Sequence, residues 1–416
     1  MIGRTNSIGS KGLPTQDKTL TITQNGVYTI LPDAGNVLSS ATANVMVEEI
    51  LNPEKKWLVR FFDYKGKVLR AERVNTGEDA TAPEVFNTAD LAFTGWNNTF
   101  TNIQADTDVG AIYTTITGET LLYITTTPVT GKNVPLNFYI RSVAPIGTVT
   151  INWGDGTSND TRNTAGAHEV THIYANHGSY VIRISCANGT YRLGGSTNNV
   201  GVFGSVTGTY QDILTKVHFG ANVYAFFSQT FQNCRALREC VTATTEMANS
   251  DTAWGAILFR GCRSLLSFNI PTGTATTAIG SDMFRDCSSL KSVVMGNNVT
   301  SIGTNSFSGC ASMEKLNVSR ALQTINANGL NGCFGVNRYD FPSTLTTINA
   351  QGILNNYALC CLIFRSTTPP TMVAGALDGI NRIAKIYVPD AQVATYKTAT
   401  NWVAYADYIY PLSEIE

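Results

Sequence analysis

Apolar and polar residues alternate in short runs along most of the chain, the period-two signature of half-buried strands rather than helices. Leu20 and Ile22 precede Asn25-Gly26, and Val27 and Ile30 follow it. Asn-Gly between alternating runs is the strongest short-range hairpin signal. A second run from Ala43 to Val47 closes a small β-module placed at residues 15–50, behind a polar arm over 1–14. Trp57 to Phe61 reads as a strand, Asp63-Tyr64-Lys65-Gly66 as a turn, and Val68-Leu69 as the returning strand. Val149 to Asn152 runs into a tight turn holding Gly154, and His172 to Tyr174 with Tyr180, Ile182 and Ile184 predict a further hairpin.

From about Leu214 the pattern changes from alternation to repetition. Ile279, Ile302, Ile325 and Ile348 lie 23 residues apart. Phe284, Phe307, Leu330 or Ile353 comes five residues after each, then Cys287, Cys310, Cys333 or Asn356 three further on, then Leu290, Met313, Val336 or Leu359. Each repeat ends in a predicted strand, carrying in turn Val293 and Met295, Leu316 and Val318, Tyr339 and Phe341, and Leu362 and Phe364. Two earlier copies keep Phe-x-x-Cys-x-x-Leu, but their cysteines, Cys234 and Cys262, are 28 apart. A single coil cannot cover its own apolar edge, so such a pattern predicts stacked coils sharing one core, here over residues 196–388. Ile383, Ile386 and Val388 form the last coil. Asp390 is then placed to cap a helix carrying Val393, Tyr396 and Lys397, and with Trp402 and Tyr405 residues 389–416 seal the open end.

Composition narrows the function. The 416 residues carry 29 basic and 30 acidic side chains, a net charge of −1, and only 14% are charged, against roughly 25% in an average soluble protein. Thr, Asn, Ser and Gly stand in place of charge, which excludes a phosphate-gripping nucleic-acid binder, a helical bundle and a coiled coil. No run approaches the 18 apolar residues of a membrane span, and the first residues lack the apolar stretch of a secretory signal. The chain is therefore expected to stay where it is made or to leave by another route. Five residues separate Gly3 from Gly9 and Ser10 precedes Lys11, which breaks the phosphate-loop spacing.

Four stretches resemble known families. Met1-Ile2-Gly3-Arg4-Thr5-Asn6, Thr23-Gln24-Asn25-Gly26-Val27-Tyr28-Thr29 and Asn44-Val45-Met46-Val47 resemble the N-terminal part of tail-associated proteins of bacteriophages and phage-like particles. Residues 51–115, with the Asp63–Gly66 turn, Gly77, Pro83, Phe93-Thr94-Gly95-Trp96, Ile103 and Tyr113, look like the Listeria–Bacteroides repeat, a small β-grasp-like module. Residues 116–195 pair Trp153-Gly154-Asp155-Gly156-Thr157 with His172-Ile173-Tyr174 and Gly178-Ser179-Tyr180, and so resemble the polycystic-kidney-disease (PKD) domain, an immunoglobulin-like β-sandwich. The register of the repeats is similar to the BspA-type leucine-rich repeat of bacterial surface and secreted proteins. Together these imply a mainly β, multidomain chain: small β-modules, a sandwich and a leucine-rich-repeat solenoid with a C-terminal helical cap.

Candidate chemistry is sparse. Nine cysteines forbid full pairing, and five of them recur once per coil at one core register, so they are read as a column of free buried thiols rather than zinc knuckles. Cys360 and Cys361 are adjacent strand positions pointing to opposite faces, which suits neither a bridge nor a ligand pair. Asp155 with Asn159 and Asp160 offers oxygens for calcium, and the plainer reading has Asp155 holding its own turn. His168, His172 and His177 cluster in sequence, but His172 falls on a strand that the PKD resemblance treats as structural. No Gly-x-Ser-x-Gly, His-Glu-x-x-His or Gly-x-Gly-x-x-Gly motif occurs, so no catalytic residue, metal ligand or cofactor is assigned and the chain is read as no enzyme. What remains is surface. Ser292 and Val294, Lys315 and Asn317, and Arg338 and Asp340 point away from the repeat core, and the longer loop before Cys262 holds Trp254. Trp254, Lys315, Asn317, Arg338 and Asp340 are the candidate receptor-binding residues.

The leading expectation is a host-recognition component of a phage or phage-like tail, fibre or baseplate-associated, located in the virion. Its N-terminus contacts other tail or baseplate proteins, and its repeats contact a bacterial surface glycan or protein, without nucleic acid or membrane insertion. Such tail proteins are commonly homotrimers, although no trimerising heptad pattern is present. The alternatives are a secreted or cell-surface bacterial adhesin, and a glycan-degrading tail enzyme.

Overall fold

The computed structural model describes residues 21–22, 28–29, 57–126, 136–143, 146–193, 200–201, 204–205, 211–226, 229–241, 256–271, 277–380 and 384–415. The chain divides into two compact units, Met1–Glu54 and Lys55–Glu416. In the first, β1 (Thr21–Ile22) and β2 (Tyr28–Thr29) pair antiparallel, Thr21 opposite Thr29, as the Asn-Gly signal between them predicts. The polar arm and the Ala43–Val47 run lie outside the described residues.

The second unit opens with β3 (Trp57–Phe62), β4 (Val68–Val74), β5 (Leu91–Trp96) and β6 (Thr107–Thr115), in one sheet ordered β4-β3-β6-β5. The hairpin pairs β3 with β4 are antiparallel, while the central β3 and β6 run parallel. Trp57, Val59, Phe61, Val74, Ile103 and Val109 fill one face. Bidentate ion pairing of Arg60 with Asp108, at 2.8 and 2.7 Å, ties the two central strands.

After β6 the chain turns at Ile116–Glu119 and begins β7 (Thr120–Thr126). A two-sheet sandwich follows from β8 (Leu136–Val143), β9 (Thr148–Asn152), β10 (Asp160–Arg162), β11 (Gly166–His172), β12 (Gly178–Ala187) and β13 (Thr190–Leu193). One sheet runs β10-β9-β12-β7 and the other β11-β8-β13, and neither stops there. After the short pair β14 (Val200–Gly201) and β15 (Gly204–Ser205), the strands β16 (Leu214–His218) and β17 (Val223–Phe226) add to β7 and β13 respectively, and β18 (Glu239–Val241) adds to β16 in parallel. The expected boundary at 195/196 is thus not a break in pairing. A single hydrophobic core runs from Leu122 and Trp153 through to Trp402.

The remainder is a β-solenoid of about seven turns. One parallel column holds β20 (Ala278–Ile279), β22 (Ser301–Ile302), β23 (Thr324–Ile325), β25 (Thr347–Ile348) and β27 (Thr371–Met372). A second carries β19 (Ser267–Asn269) with β21 (Ser292–Val294), then β24 (Arg338–Phe341), β26 (Cys361–Phe364), β28 (Lys385–Val388) and β29 (Ile409–Pro411). The strand predicted around Leu316 and Val318 is not formed. Its segment holds Lys315 and Arg320, which engage Asp106, Ala105 and Thr107 of the 57–115 module, and its backbone joins neither ladder.

Inside, Phe231, Phe259, Phe284 and Phe307 stack with centroids 5.7, 5.7 and 5.3 Å apart. The cysteine column is buried and unbridged, as predicted, and burial pushes its thiols up. From Cys262 onward the thiols also donate to the Phe carbonyl one coil back: Cys262 to Phe231 O at 3.0 Å, Cys287 to Phe259 O at 3.1 Å, Cys310 to Phe284 O at 3.2 Å and Cys333 to Phe307 O at 3.5 Å. Asn356 does the same with its amide, donating to Leu330 O at 2.9 Å and Ile353 O at 3.0 Å.

At the C-terminus a short helix, Val393–Thr398, and Trp402 close the core. Trp402 donates to Pro370 O and Tyr396 to Ser366 O, at 2.8 and 3.0 Å. Asp390 does not cap that helix; its carboxylate accepts from the backbone of Ser413, 3.1 Å away, because a 3₁₀ turn separates it from Val393. No helix among the described residues is long and apolar enough to cross a membrane.

Candidate binding surface

The outward face of the second strand column, where ligand contact was predicted, is partly occupied by the chain itself. The Asp63–Gly66 turn rests on it: Ser267 Oγ donates to Tyr64 O at 3.3 Å, and Asn269 Nδ2 donates to Asp63 O at 3.2 Å and Ala111 O at 3.0 Å. Gly66 has φ +77°, and a Cβ there would stand 2.7 Å from Ser292 Oγ. At Gly110 a Cβ would fall 2.6 Å from Asn269 Cγ, so only glycine permits this approach of strand to strand face. From the module, Asn97 donates to Ile270 O and Val294 O at 3.0 and 3.1 Å and accepts from Gly110 N. Val241 joins Leu91, Ala111 and Tyr113 in a small apolar cluster between the two parts.

This occupation decides where the candidate residues stand. Lys315 faces Asp106 of the module, Nζ to Oδ2 3.8 Å. Burial, then Arg60, holds its ammonium below the ordinary lysine value, against the opposing pull of Asp106 and Asp108. Asn317, in the same coil, is half-buried. Arg338 and Asp340 come together at the module's margin, 3.8 Å apart, and Asp340 is taken bidentate by Arg365 at 2.7 and 2.7 Å. The Arg365 guanidinium in turn lies 4.6 Å over the ring of Trp57. Trp254 lies outside the described residues.

Other predicted chemistry resolves into structure. Asp155 accepts from Thr157 N and Oγ1 at 3.1 and 2.6 Å and contacts His172 Nε2 at 2.7 Å. Burial pushes its carboxyl up, but those bonds outweigh it and hold it below the usual aspartate value. Asp160 accepts from Trp153 Nε1, and the His172 ring stacks on Trp153 at 4.6 Å. His168 turns instead to Thr164. Among the described residues no group of three or more His, Cys, Asp or Glu gathers as metal ligands would. Cys360 is exposed and Cys361 half-buried, both free thiols.

Sequence reasoning passed over one exposed feature. Phe334 and Tyr357 directly follow Cys333 and Asn356, are 45% and 59% exposed, and stack with centroids 5.6 Å apart and planes at 17°. The available signal was their position: the same register holds Arg235, Arg263, Ser288 and Ala311 in the earlier coils.

Residues 252–368 match the family described as BspA type Leucine rich repeat region, in six copies. These residues are thus similar to BspA-type leucine-rich repeats. Among solved structures, a leucine-rich repeat protein from Bacteroides ovatus is similar at 16% identity and a TM-score of 0.31, over 43% of this chain and 57% of that one. One from Eubacterium ventriosum gives 19% and 0.34, over 47% and 49%. The pneumococcal vaccine antigen PcpA gives 15% and 0.30, over 46% and 52%. The chain thus spans about half the length of these structures. No curated protein matches.

Proposed function

We propose that the protein is a non-enzymatic binding protein of the adhesin type, acting at a bacterial surface. The observation that carries this is how the solenoid's outside is built. Uncharged polar side chains bond coil to coil: Thr300 to Thr277 O at 2.9 Å, Thr346 to Gln323 O at 3.1 Å, Asn326 to Ile302 O at 3.0 Å, Asn349 to Asn326 Oδ1 at 3.2 Å. Groups ordered in advance lose little entropy on meeting a partner. The BspA-type repeats support the same reading, since such repeats occur in bacterial surface and secreted proteins.

On this reading residues 51–115 are a Listeria–Bacteroides-type module, supported by the β4-β3-β6-β5 order, and the sandwich is PKD-like, supported by the Trp153–Asp155–His172 clasp. The tail-component reading rests on motifs in the first 50 residues, few of which are described, so the adhesin is preferred. Immunolabelling of producing cells tests this. Label on the envelope of intact cells is the expected result, and label confined to particles released by lysis favours the tail reading. Incubation of the full chain with surface polysaccharide is expected to leave polymer length unchanged; shortened chains overturn the non-enzymatic reading.

A further inference from the structure

We propose that Phe334 and Tyr357, with the amides beside them, form a binding site for a neutral saccharide; this deepens the surface-binding reading above and rests on it. Two adjacent exposed rings have a cost in water that nothing inside the coil requires, because the core positions next to them, Cys333 and Asn356, are already filled and bonded. The polar surroundings also differ from those of an earlier coil. In the coil of Phe284 the neighbouring registers hold Asp282, Arg285 and Asp286, joined by ion pairs at 3.0 and 3.7 Å. In the coils of the aromatic pair those registers hold Asn328, Asn331 and Gly332, then Gln351, Leu354 and Asn355.

The amides are linked to one another and to the rings. Asn331 Nδ2 donates to Asn328 Oδ1 at 3.0 Å, Asn355 Nδ2 to Asn331 Oδ1 at 3.4 Å, and Tyr357 Oη to Asn355 Oδ1 at 3.1 Å. The rings stand among uncharged registers, which begin one coil earlier at Asn305, Ser308 and Gly309. An apolar ring surface flanked by groups that both donate and accept, without net charge, fits the C–H face and the hydroxyls of a pyranose. It fits an anionic polymer poorly, because no cation stands among these residues to receive one. The site lies on residues that the 57–115 module does not hold.

The test uses the full chain on an array of neutral and acidic oligosaccharides, with whole cells as a second readout. The expected result is binding to neutral glycans that falls at least tenfold in Phe334→Ala/Tyr357→Ala, with an unchanged melting curve. Phe86→Ala, which removes a 70% exposed ring on the 57–115 module, is expected to bind as the parent does. No neutral glycan bound, or equal binding by the double variant, overturns the site. Cell binding abolished by periodate and spared by protease supports a saccharide; the reverse overturns it in favour of a protein partner. If the double variant still binds cells fully, the site fails while the surface-binding reading stands, and if the parent chain binds no cells, that reading fails too.

Discussion

A buried thiol that donates to the carbonyl one coil back explains why Cys and Asn share a column: both are small and both offer a donor pointing along the solenoid axis. Asn356→Cys is therefore expected to cost only about 1 kcal/mol, since a thiol supplies the bond to the carbonyl one coil back and gives up the one to Ile353 O. Asn356→Asp faces the Leu330 and Ile353 carbonyls with an acceptor and is expected to cost about 2–4 kcal/mol. Urea denaturation of both variants measures the difference, and equal losses would show that donation is not what the column selects. A second residue-scale expectation concerns Glu239, which meets His218 Nε2 at 2.6 Å. Burial pushes its carboxyl up, but His218, Lys216 and Lys65 outweigh this and hold it below the usual glutamate value. A depressed carboxyl stabilises the fold above the unfolded value, near 4.3, and loses that contribution as pH falls through the folded one. Thermal melts between about pH 5 and pH 3 should therefore fall less steeply for Glu239→Gln than for the parent chain.

Elements were legible to the extent that they are local. The 23-residue period places the coils because each repeats the same contacts with its neighbour, and Ile279, Phe284, Cys287 and Leu290 all stand in the core as their spacing predicts. The covering of the strand face was not legible. Ser267, Asn269 and Ser292 are small polar residues at outward positions, indistinguishable in sequence from solvated ones, and Asn97 reaches Ile270 O across 173 residues. Only Gly66 and Gly110 hinted at a close approach, and a lone glycine in a turn or strand has many readings. Gly110→Ala sets a Cβ against Asn269 and is expected to cost about 1–3 kcal/mol. Asn269→Ser in the same chain should restore part of it, and a double-mutant cycle by denaturation that finds strict additivity would separate the two residues.

For the whole molecule, sandwich and solenoid share sheets and one core, so they should melt together. Residues 196–416 alone would expose Leu214 and Val217, which the sandwich now covers, and leave β16 without β7. That fragment is expected to be aggregated or poorly protected in hydrogen exchange, whereas residues 55–416 should unfold in one transition by calorimetry. A stable, monomeric 196–416 would show instead that the repeats carry their own cap.

Repeat arrays usually change length freely, because each unit touches only its neighbours. Here the 57–115 module grips the array at distant points, from Lys65 near Glu239 to Trp57 under Arg365. It is a ruler laid along the coils. Removing or adding one 23-residue coil between those points would shift every later contact by one strand spacing, about 4.8 Å, and no single side chain can follow all of them. Coil number is thus fixed between residues 239 and 365, and variation in length has only the stretch beyond Arg365 in which to occur.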